Sequence, residues 1–536
     1  MTPVCEKLRH PPLKSQFDAG SEIARFYKDR TVLITGGTGF VGKILQRLER
    51  EVPGALSKIT IVPGDLALPG LGLSKADMFA IISEVSVVFH LAATVRFFDP
   101  LRNYSDAFRA ARDADRVVQG PRILFSVKGW LSSCPRSAQK ILQRLEREVP
   151  GALSKITIVP GDLALPGLGL SKADMFAIIS EVSVVFHLAA TVRFFDPLRQ
   201  VTQLNVLGTQ RMVEICKQMS NLCAFVHVST AYSNWNREDV QEIVYRAPID
   251  VQQLIQTIES LDEKTVIPVT NLQFGQPNNY VLTKCVTESL LLEKQSELPL
   301  AIVRPSIVTA SWREPCPGWI DNYNACTGIV VSIGMGLLRT MLLSKNCIAD
   351  LIPVDVVANT LICVAWHVAS TRPTQLKVYN CTSSALQPHT WGEVIEQVRR
   401  VTVQFPLPNA RRSPSVITTT SKFFYRLALY CQCYVPAFLG DVALRLIGKN
   451  ASIVNQYRKV IRGMDAVSFY TTNSWLFRSD NIVGLMNDLS PTDKQLFNLD
   501  VRKLDWCQYW DNYMLGIRKY LFNLDDPAFQ QEHNNV

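Results

Sequence analysis

A chain of 536 residues is longer than one hydrophobic core usually serves, so two or more domains are expected. At 47% hydrophobic and 19% charged residues, the composition excludes a disordered chain and carries an apolar bias that leaves contact with lipid open. The formal charge of +9 suits phosphate-bearing ligands or an anionic membrane surface, while the lack of interleaved basic and aromatic residues argues against nucleic acid as a partner.

Residues 1–29 read as an N-terminal extension. Its opening, MTPVCEKLRHPPLKS, has no apolar core of a secretory signal, so the thirteen scattered cysteines are expected as reduced thiols. Cys431 and Cys433 have no second pair at ligand spacing, and no metal site is expected. From Arg30 the sequence runs RTVLITGGTGFVG, a β-branched apolar run that passes into Gly36, Gly39 and Gly42 at three-residue spacing and then into the helical pattern KILQRLEREV. Strand, tight turn and helix in that order form a dinucleotide site. The first glycine allows the turn, the second lets the backbone approach a pyrophosphate, the third lets helix and strand pack, and the helix N-terminus faces the anion. Phe40 and Val41 belong to the same turn.

An identical repeat follows: Lys43 to Arg102 recurs without substitution as Lys140 to Arg199, an offset of 97. Repeat architectures are arrays of diverged units, and two identical copies separated by unrelated sequence do not resemble one. A single sheet has one place for the strand KITIV and one for VSVVFHLAA. Arg199 runs directly into the helix QVTQLNVLGTQ, so the second copy is expected to hold both places, with Asp162, Ala189 and Ala190 lining the cofactor site. Asp65, Ala92 and Ala93 of the first copy are then expected away from it, and residues 53 to about 121 as a surplus, loosely packed excursion.

The later segments KITIVPGDL, VSVVFHLAATV, VTQLNVLGTQRMVEICKQM, CAFVHVST, YVLTKCVTESLLLEKQ and LAIVRPSIV alternate strand and helix patterns, which predicts an α/β, Rossmann-type doubly wound parallel sheet over residues 30–385. Ligands lie at the C-terminal strand ends of such sheets, where Asp162, Ala189, Thr230 and Pro305 fall. Tyr280 and Lys284 open a helix on one face. A phenol with a pKa of about 10 exchanges protons poorly at neutral pH, and a nearby ammonium is expected to lower that value. Ser229 or Thr230, with Thr230 preferred, would hydrogen-bond a substrate oxygen. Asn205 either orders a water beside Lys284 or serves as a backbone-capping amide.

Through these motifs the chain resembles the extended short-chain dehydrogenase/reductases and, within them, the fatty acyl-CoA reductases. The resemblance covers about Thr31 to Gly42 and Ala138 to about Leu524, through strings such as HLAATVRF, LNVLGTQ, FVHVSTAYSN, AIVRPSIVTA, PGWIDN, LIPVDVVAN, SFYTTNSWLF, LSPTDKQLFNLDVRKLDW and GIRKYL. It implies a mainly helical C-terminal domain at 437–525, after a linker and membrane-proximal segment at 386–436 and before a tail at 526–536. It also implies NADPH on Gly36, Gly39 and Gly42, Tyr280 as the acid with Lys284 as its partner, and Ser229 and Thr230 on the substrate carbonyl. The expected reaction is reduction of a long-chain fatty acyl-CoA to the primary alcohol through an aldehyde, on the cytosolic face of the endoplasmic reticulum or peroxisome. NADPH preference in the family follows a basic residue after the second strand, in a string absent here; Lys128 in RILFSVKG is the nearest substitute for contact with the 2′-phosphate. Two other readings stand beside this one: a reductase or epimerase acting on a nucleotide sugar or steroid, and a duplicated or misassembled paralogue with impaired catalysis.

The segment from Phe423 to Ile447 joins an apolar run to Arg426, Arg445 and Lys449, with Arg458, Lys459 and Arg462 following. It is expected either on a membrane surface or in a buried helical core. Leu427 to Leu439, the best apolar stretch, is shorter than a spanning helix and contains Pro436, so no crossing is expected. A homo-oligomer is compatible with the sequence.

Overall fold

The computed structural model describes residues 21–28, 30–36, 39–41, 159, 161–260, 275–408, 410, 412–447 and 453–524, together with the backbone of three strands at 59–63, 88–91 and 156–158. The main sheet has eight strands: β1 (Thr31–Thr35), β2 (Ile59–Pro63), β3 (Val88–Leu91), β4 (Ile156–Ile158), β5 (Val182–His187), β6 (Ala224–Val228), β7 (Leu300–Pro305) and β8 (Lys377–Cys381). Their order is β8-β7-β6-β5-β1-β2-β3-β4, and every pairing is parallel.

Alternation along the central strands decides which helices cover each face. Val32, Ile34, Val184, Phe186, Val226 and Val303 bury against one face, together with helix α5 (Val354–Thr371). Leu33, Val185, Phe225 and Ile302 bury against the other, with Met212 and Val213 of α2 (Gly208–Cys216) and Leu291 of α3 (Asn279–Glu293). Side chains that succeed each other on a strand point to opposite faces, so near-continuous apolar strands need helices on both. The Rossmann-type doubly wound architecture is as expected. The end of the N-terminal extension is built into it through α1 (Glu22–Tyr27): the Tyr27 hydroxyl donates to the Ile362 carbonyl at 2.9 Å, and Ser21 Oγ donates to Asp493 Oδ1 at 2.5 Å.

The repeat divides differently from the expectation. The second copy holds the place between β1 and β6, where Val184, Val185 and Phe186 pair with Val32, Leu33 and Ile34. On the opposite edge of β1, however, the first copy supplies the neighbours: Val32 and Leu33 pair with Ile59 and Thr60 of β2, and Ile34 and Thr35 with Phe89 and His90 of β3. The second copy's Ile156–Ile158 stands at the sheet edge, against β2 and β3. The excursion expected over 53 to about 121 is therefore corrected for these two strands, and Asp65, Ala92 and Ala93 lie outside the described residues. Two identical strands have identical local preferences, so only the connections around each copy distinguish them.

After the sheet come α4 (Ala325–Gly334), α6 (Trp391–Gln404) and the mainly helical C-terminal part, with α7 (Lys422–Leu446), α8 (Ile453–Thr472), α9 (Asp480–Asp488) and α10 (Trp506–Gly516). This part is fastened to the sheet domain by direct backbone contact. Gly318 has φ +75°, and a Cβ on it would lie 1.9 Å from the Asn512 carbonyl oxygen of α10, so only glycine fits. Asp441 of α7 accepts from the backbone N–H groups of Ile453 (2.8 Å) and Val454 (3.2 Å) and so anchors the start of α8.

Helix α7 corrects the sequence count of its apolar stretch. It runs 25 residues, through Pro436: a π-helical turn at Tyr430–Tyr434 lies just before that proline, and the Gln432 carbonyl, which the proline deprives of its amide, accepts from Arg412 Nη1 at 3.3 Å. Among the described residues, α5 and α7 are long and apolar enough to cross a membrane; 78% of α5 is buried in the core, but only 22% of α7. Tyr425, Leu429, Cys433 and Ala437 pack α7 on Tyr457 and Ile461 of α8, while Phe423, Phe424, Leu427, Phe438, Leu439 and Leu446 stand exposed.

Candidate active site

Strand β1 ends at Thr35 and the chain turns at Gly36, whose φ of +79° favours glycine. A Cβ there would lie 2.8 Å from the Ala189 nitrogen, so the loop after β5 also excludes a side chain. The Gly39 N–H donates to the Gly36 carbonyl at 2.9 Å and closes the turn, and the Phe40 ring stacks on Trp319 with centroids 5.2 Å apart. A hydroxyl–imidazole chain supports this turn from beneath. Thr209 Oγ1 donates its one proton to the Asn205 carbonyl (2.7 Å), so His187 Nε2 donates to Thr209 (3.0 Å) and Nδ1 accepts from Thr35 Oγ1 (2.7 Å). Thr35 Oγ1 in turn accepts the Ala189 N–H at 3.2 Å, joining the glycine turn to the β5 loop.

Helix α3 is capped by Asn278, whose side chain accepts the Val281 N–H at 3.0 Å. Tyr280 in the first turn and Lys284 one turn further on both face a cavity of about 330 Å³, which Gly36, Ala189, Ser229, Thr230 and Pro305 also line. The Lys284 ammonium donates to the Val228 carbonyl at the end of β6, at 2.7 Å. Burial pushes its pKa down to about 7, against the opposing field of Glu288. Tyr280 differs from the expectation: burial raises its pKa well above the ordinary phenol, and the hydrogen bond with Thr230 only partly offsets this. Desolvation of the phenol dominates, and the nearby Glu288 carboxylate adds to the rise.

The other expected residues separate. Gly39, Phe40, Val41 and Ala190 line the same cavity. Asn205 is not among the lining residues. Its amide accepts the Thr191 N–H at 2.9 Å and donates to the Thr191 carbonyl and to Thr283 Oγ1, each at 3.2 Å, so it is the backbone clamp between the β5 loop and α3. Asp162 is not among the lining residues: its carboxylate accepts the Ala164 N–H at 2.8 Å, within its own turn. Gly42 and Lys128 lie outside the described residues.

Sequence reasoning missed part of the wall. Ser306 and Asn324 line the cavity with a hydroxyl and an amide oxygen that have no partner among the described residues, as does the Ser229 hydroxyl. From the C-terminal part, α8 contributes Gly463, Met464, Val467, Tyr470 and Thr471. Their spacing marks one helical face, but no chemical motif distinguishes it from a core stripe.

Known proteins align with most of this chain. Two family models described as male sterility protein align with it: the NAD-binding model over residues 45–112 and 135–361, and the C-terminal model over 432–524. Fatty acyl-CoA reductase 1 of Mus musculus is 37% identical over 503 residues, covering 94% of this chain and 86% of that protein. The protein belongs to the fatty acyl-CoA reductase family. Rattus norvegicus fatty acyl-CoA reductase 1 is 41% identical over the same coverage, and Bos taurus fatty acyl-CoA reductase 2 is 33% identical over 507 residues, covering 94% of the chain and 87% of that protein. Among solved structures, the terminal reductase domain of the myxalamid biosynthetic pathway superposes with TM-score 0.52 at 16% identity, covering 92% of this chain and 91% of that one. The reductase domain of a Mycobacterium tuberculosis nonribosomal peptide synthetase gives 0.51 at 15%, covering 96% and 97%. These two share the fold.

The reductase is an oxidoreductase of fatty acyl-CoA with a nicotinamide dinucleotide as its cofactor. The residues present fit such a group: a glycine turn with no room for a Cβ at Gly36, and the Ser229 and Ser306 hydroxyls at the strand ends, which have no partner among the described residues.

Proposed function

We propose that the protein reduces long-chain fatty acyl-CoA to the primary alcohol, consuming two NADPH and releasing coenzyme A, and that it works at a membrane surface. The observation that carries the reading is a single cavity into which the glycine turn, the Tyr280–Lys284 helix, the Ser229–Thr230 strand end and an apolar face of α8 all open.

Gly36, Gly39, Phe40 and Val41 would hold the pyrophosphate, with Ala189 and Ala190 beside them and Pro305 at the nicotinamide end. When bound, the dinucleotide supplies hydride. Thr230 and Ser229 orient the thioester carbonyl by hydrogen bonds to its oxygen, which strengthen as negative charge gathers there. The hemithioacetal then expels coenzyme A as a thiolate, a far better leaving group than an alkoxide or hydride, leaving the aldehyde. In the second reduction Tyr280 gives its proton to the alkoxide oxygen. Its raised pKa keeps it protonated at neutral pH, and Lys284 then stabilises the phenolate left behind. Preference for NADPH follows the family resemblance, with Lys128 as the proposed contact to the 2′-phosphate.

The membrane reading draws on α7, whose exposed apolar side chains are flanked by the exposed cations Arg426, Arg445, Arg458 and Lys459. Such a helix lies in the headgroup boundary with its charges toward lipid phosphates.

The deciding experiment incubates the purified protein with hexadecanoyl-CoA and either NADPH or NADH, measuring coenzyme oxidised and products formed. Two NADPH per hexadecanol is expected. One per hexadecanal would refute the second reduction, and turnover confined to a nucleotide sugar or a steroid would refute the acyl-CoA reading.

A further inference from the structure

The wall of the cavity divides by the packing cluster to which each side chain belongs. Tyr232, Phe194, Tyr280 and Tyr470 pack in one aromatic cluster, at the end that holds the reactive hydroxyls. Cys326, Ile329, Trp391 and Met464, with Val467, belong to a second cluster that brings α4, α6 and α8 together and places no titratable carboxylate or amine among these cavity-lining side chains. Within that second group Trp391 is the largest side chain. It is 2% exposed and sits at the first position of α6, where a capping box between Thr390 and Glu393 fixes the helix start. Its indole N–H donates to the Tyr470 carbonyl at 3.1 Å, which pins the ring to α8.

We infer that the α4–α6–α8 end of the cavity is an alkyl-binding bore in which the acyl chain lies along Met464 and Val467, and that Trp391 closes the bore and limits chain length. This inference rests on the acyl-CoA reading above. A saturated chain offers no polar handle, so an enzyme can select it only through exclusion from water and through length. Each methylene that enters such a bore is worth about fourfold in kcat/KM, and each that meets a fixed wall forfeits that gain. Trp391 is suited to be the wall because its backbone is fixed by the cap at the start of α6 and its ring by the hydrogen bond to α8. Met464 and Val467 bring α8 into the bore, which gives the C-terminal helical part a role in selecting the substrate.

The test measures kcat/KM for decanoyl-, dodecanoyl-, tetradecanoyl-, hexadecanoyl- and octadecanoyl-CoA in the full-length wild type and in Val467→Phe, Met464→Ala and Trp391→Phe. Val467→Phe should move the optimum to shorter chains by roughly two to four carbons, with at least a tenfold loss on the longest substrate, by the methylene increment above. Met464→Ala and Trp391→Phe should move it to longer chains, with the KM for NADPH unchanged in all three. Trp391 is deeply buried and its variant can misfold, so Val467→Phe, at a half-buried position, carries the test independently. Folded variants with the wild-type optimum would overturn the bore. A wild type that reduces no acyl-CoA would instead overturn the acyl-CoA reading, a distinct outcome.

Discussion

Asn278 donates its side-chain N–H to the Tyr470 hydroxyl at 2.9 Å while its carbonyl oxygen caps α3, so the residue that starts the Tyr280–Lys284 helix is also bonded to the helical C-terminal part. The N-terminus of α3 thereby takes its position from both parts of the chain. Asn278→Ala should cost about 1–2 kcal/mol, combining a lost cap with a lost hydrogen bond, and Tyr470→Phe about 1 kcal/mol. The two share one bond, so in a double-mutant cycle by urea denaturation the second change should add less than it does alone. Strict additivity would show that the bond contributes nothing.

Tyr280→Phe removes the phenolic proton and little volume. Alcohol formation should fall at least a hundredfold while NADPH affinity, followed by quenching of intrinsic fluorescence, stays within about threefold. Retention of a tenth of wild-type turnover would assign the proton to another group.

Glu242 couples the sheet to α9: its carboxylate accepts the N–H of Asn380 at 2.8 Å and that of Asn481. Burial raises its pKa to about 7, above the ordinary 4.5. Between those values the folded state binds more protons than the unfolded one, so this contribution is complete below about pH 4.5 and is lost as pH rises through 7. The Tm advantage of wild type over Glu242→Gln should therefore shrink from pH 5 to pH 7.5 in calorimetry. A difference constant with pH would contradict the linkage.

Arg304 on β7 meets Glu288 on α3 in a buried bidentate pair, Nη2 to Oε2 at 2.6 Å and Nε to Oε1 at 2.9 Å. Ser233 Oγ also donates to Glu288 Oε1 at 3.0 Å. Arg304→Met should destabilise the protein by about 3–5 kcal/mol because it strands a buried carboxylate. Adding Glu288→Leu should recover part of that loss. If the double variant is no more stable than the single one, packing and not charge explains the cost.

The exposed face of α7 predicts binding to phosphatidylserine vesicles. Phe438→Asp with Leu439→Asp should lower vesicle partitioning at least tenfold and leave the fold intact, since both side chains are more than 60% exposed. Equal sedimentation of variant and wild type with vesicles would rule out this face as the contact.

The sequence by itself determined the chemistry that depends on local order: the glycine turn after β1, the Tyr280 and Lys284 pair one helical turn apart, the hydroxyls that end β6, and the parallel sheet implied by alternating patterns. Each is written in a few adjacent residues, and backbone geometry does the rest. Tertiary structure decided what identical or featureless segments could not. The two copies of KITIV have the same preferences, so only the assembled sheet shows Ile59–Pro63 beside β1 and Ile156–Ile158 at the edge. Asn205 was equally suited to water or backbone until the β5 loop came against it, and Asp162 was turned into its own loop by the Ala164 N–H. The pKa of Tyr280 follows burial, a property of the whole fold, more than its neighbour in the helix. The cavity wall from α8 was hidden for a similar reason. Met464 and Val467 are ordinary apolar residues of an amphipathic helix, and only packing beside Trp391 and Tyr280 makes them part of a site.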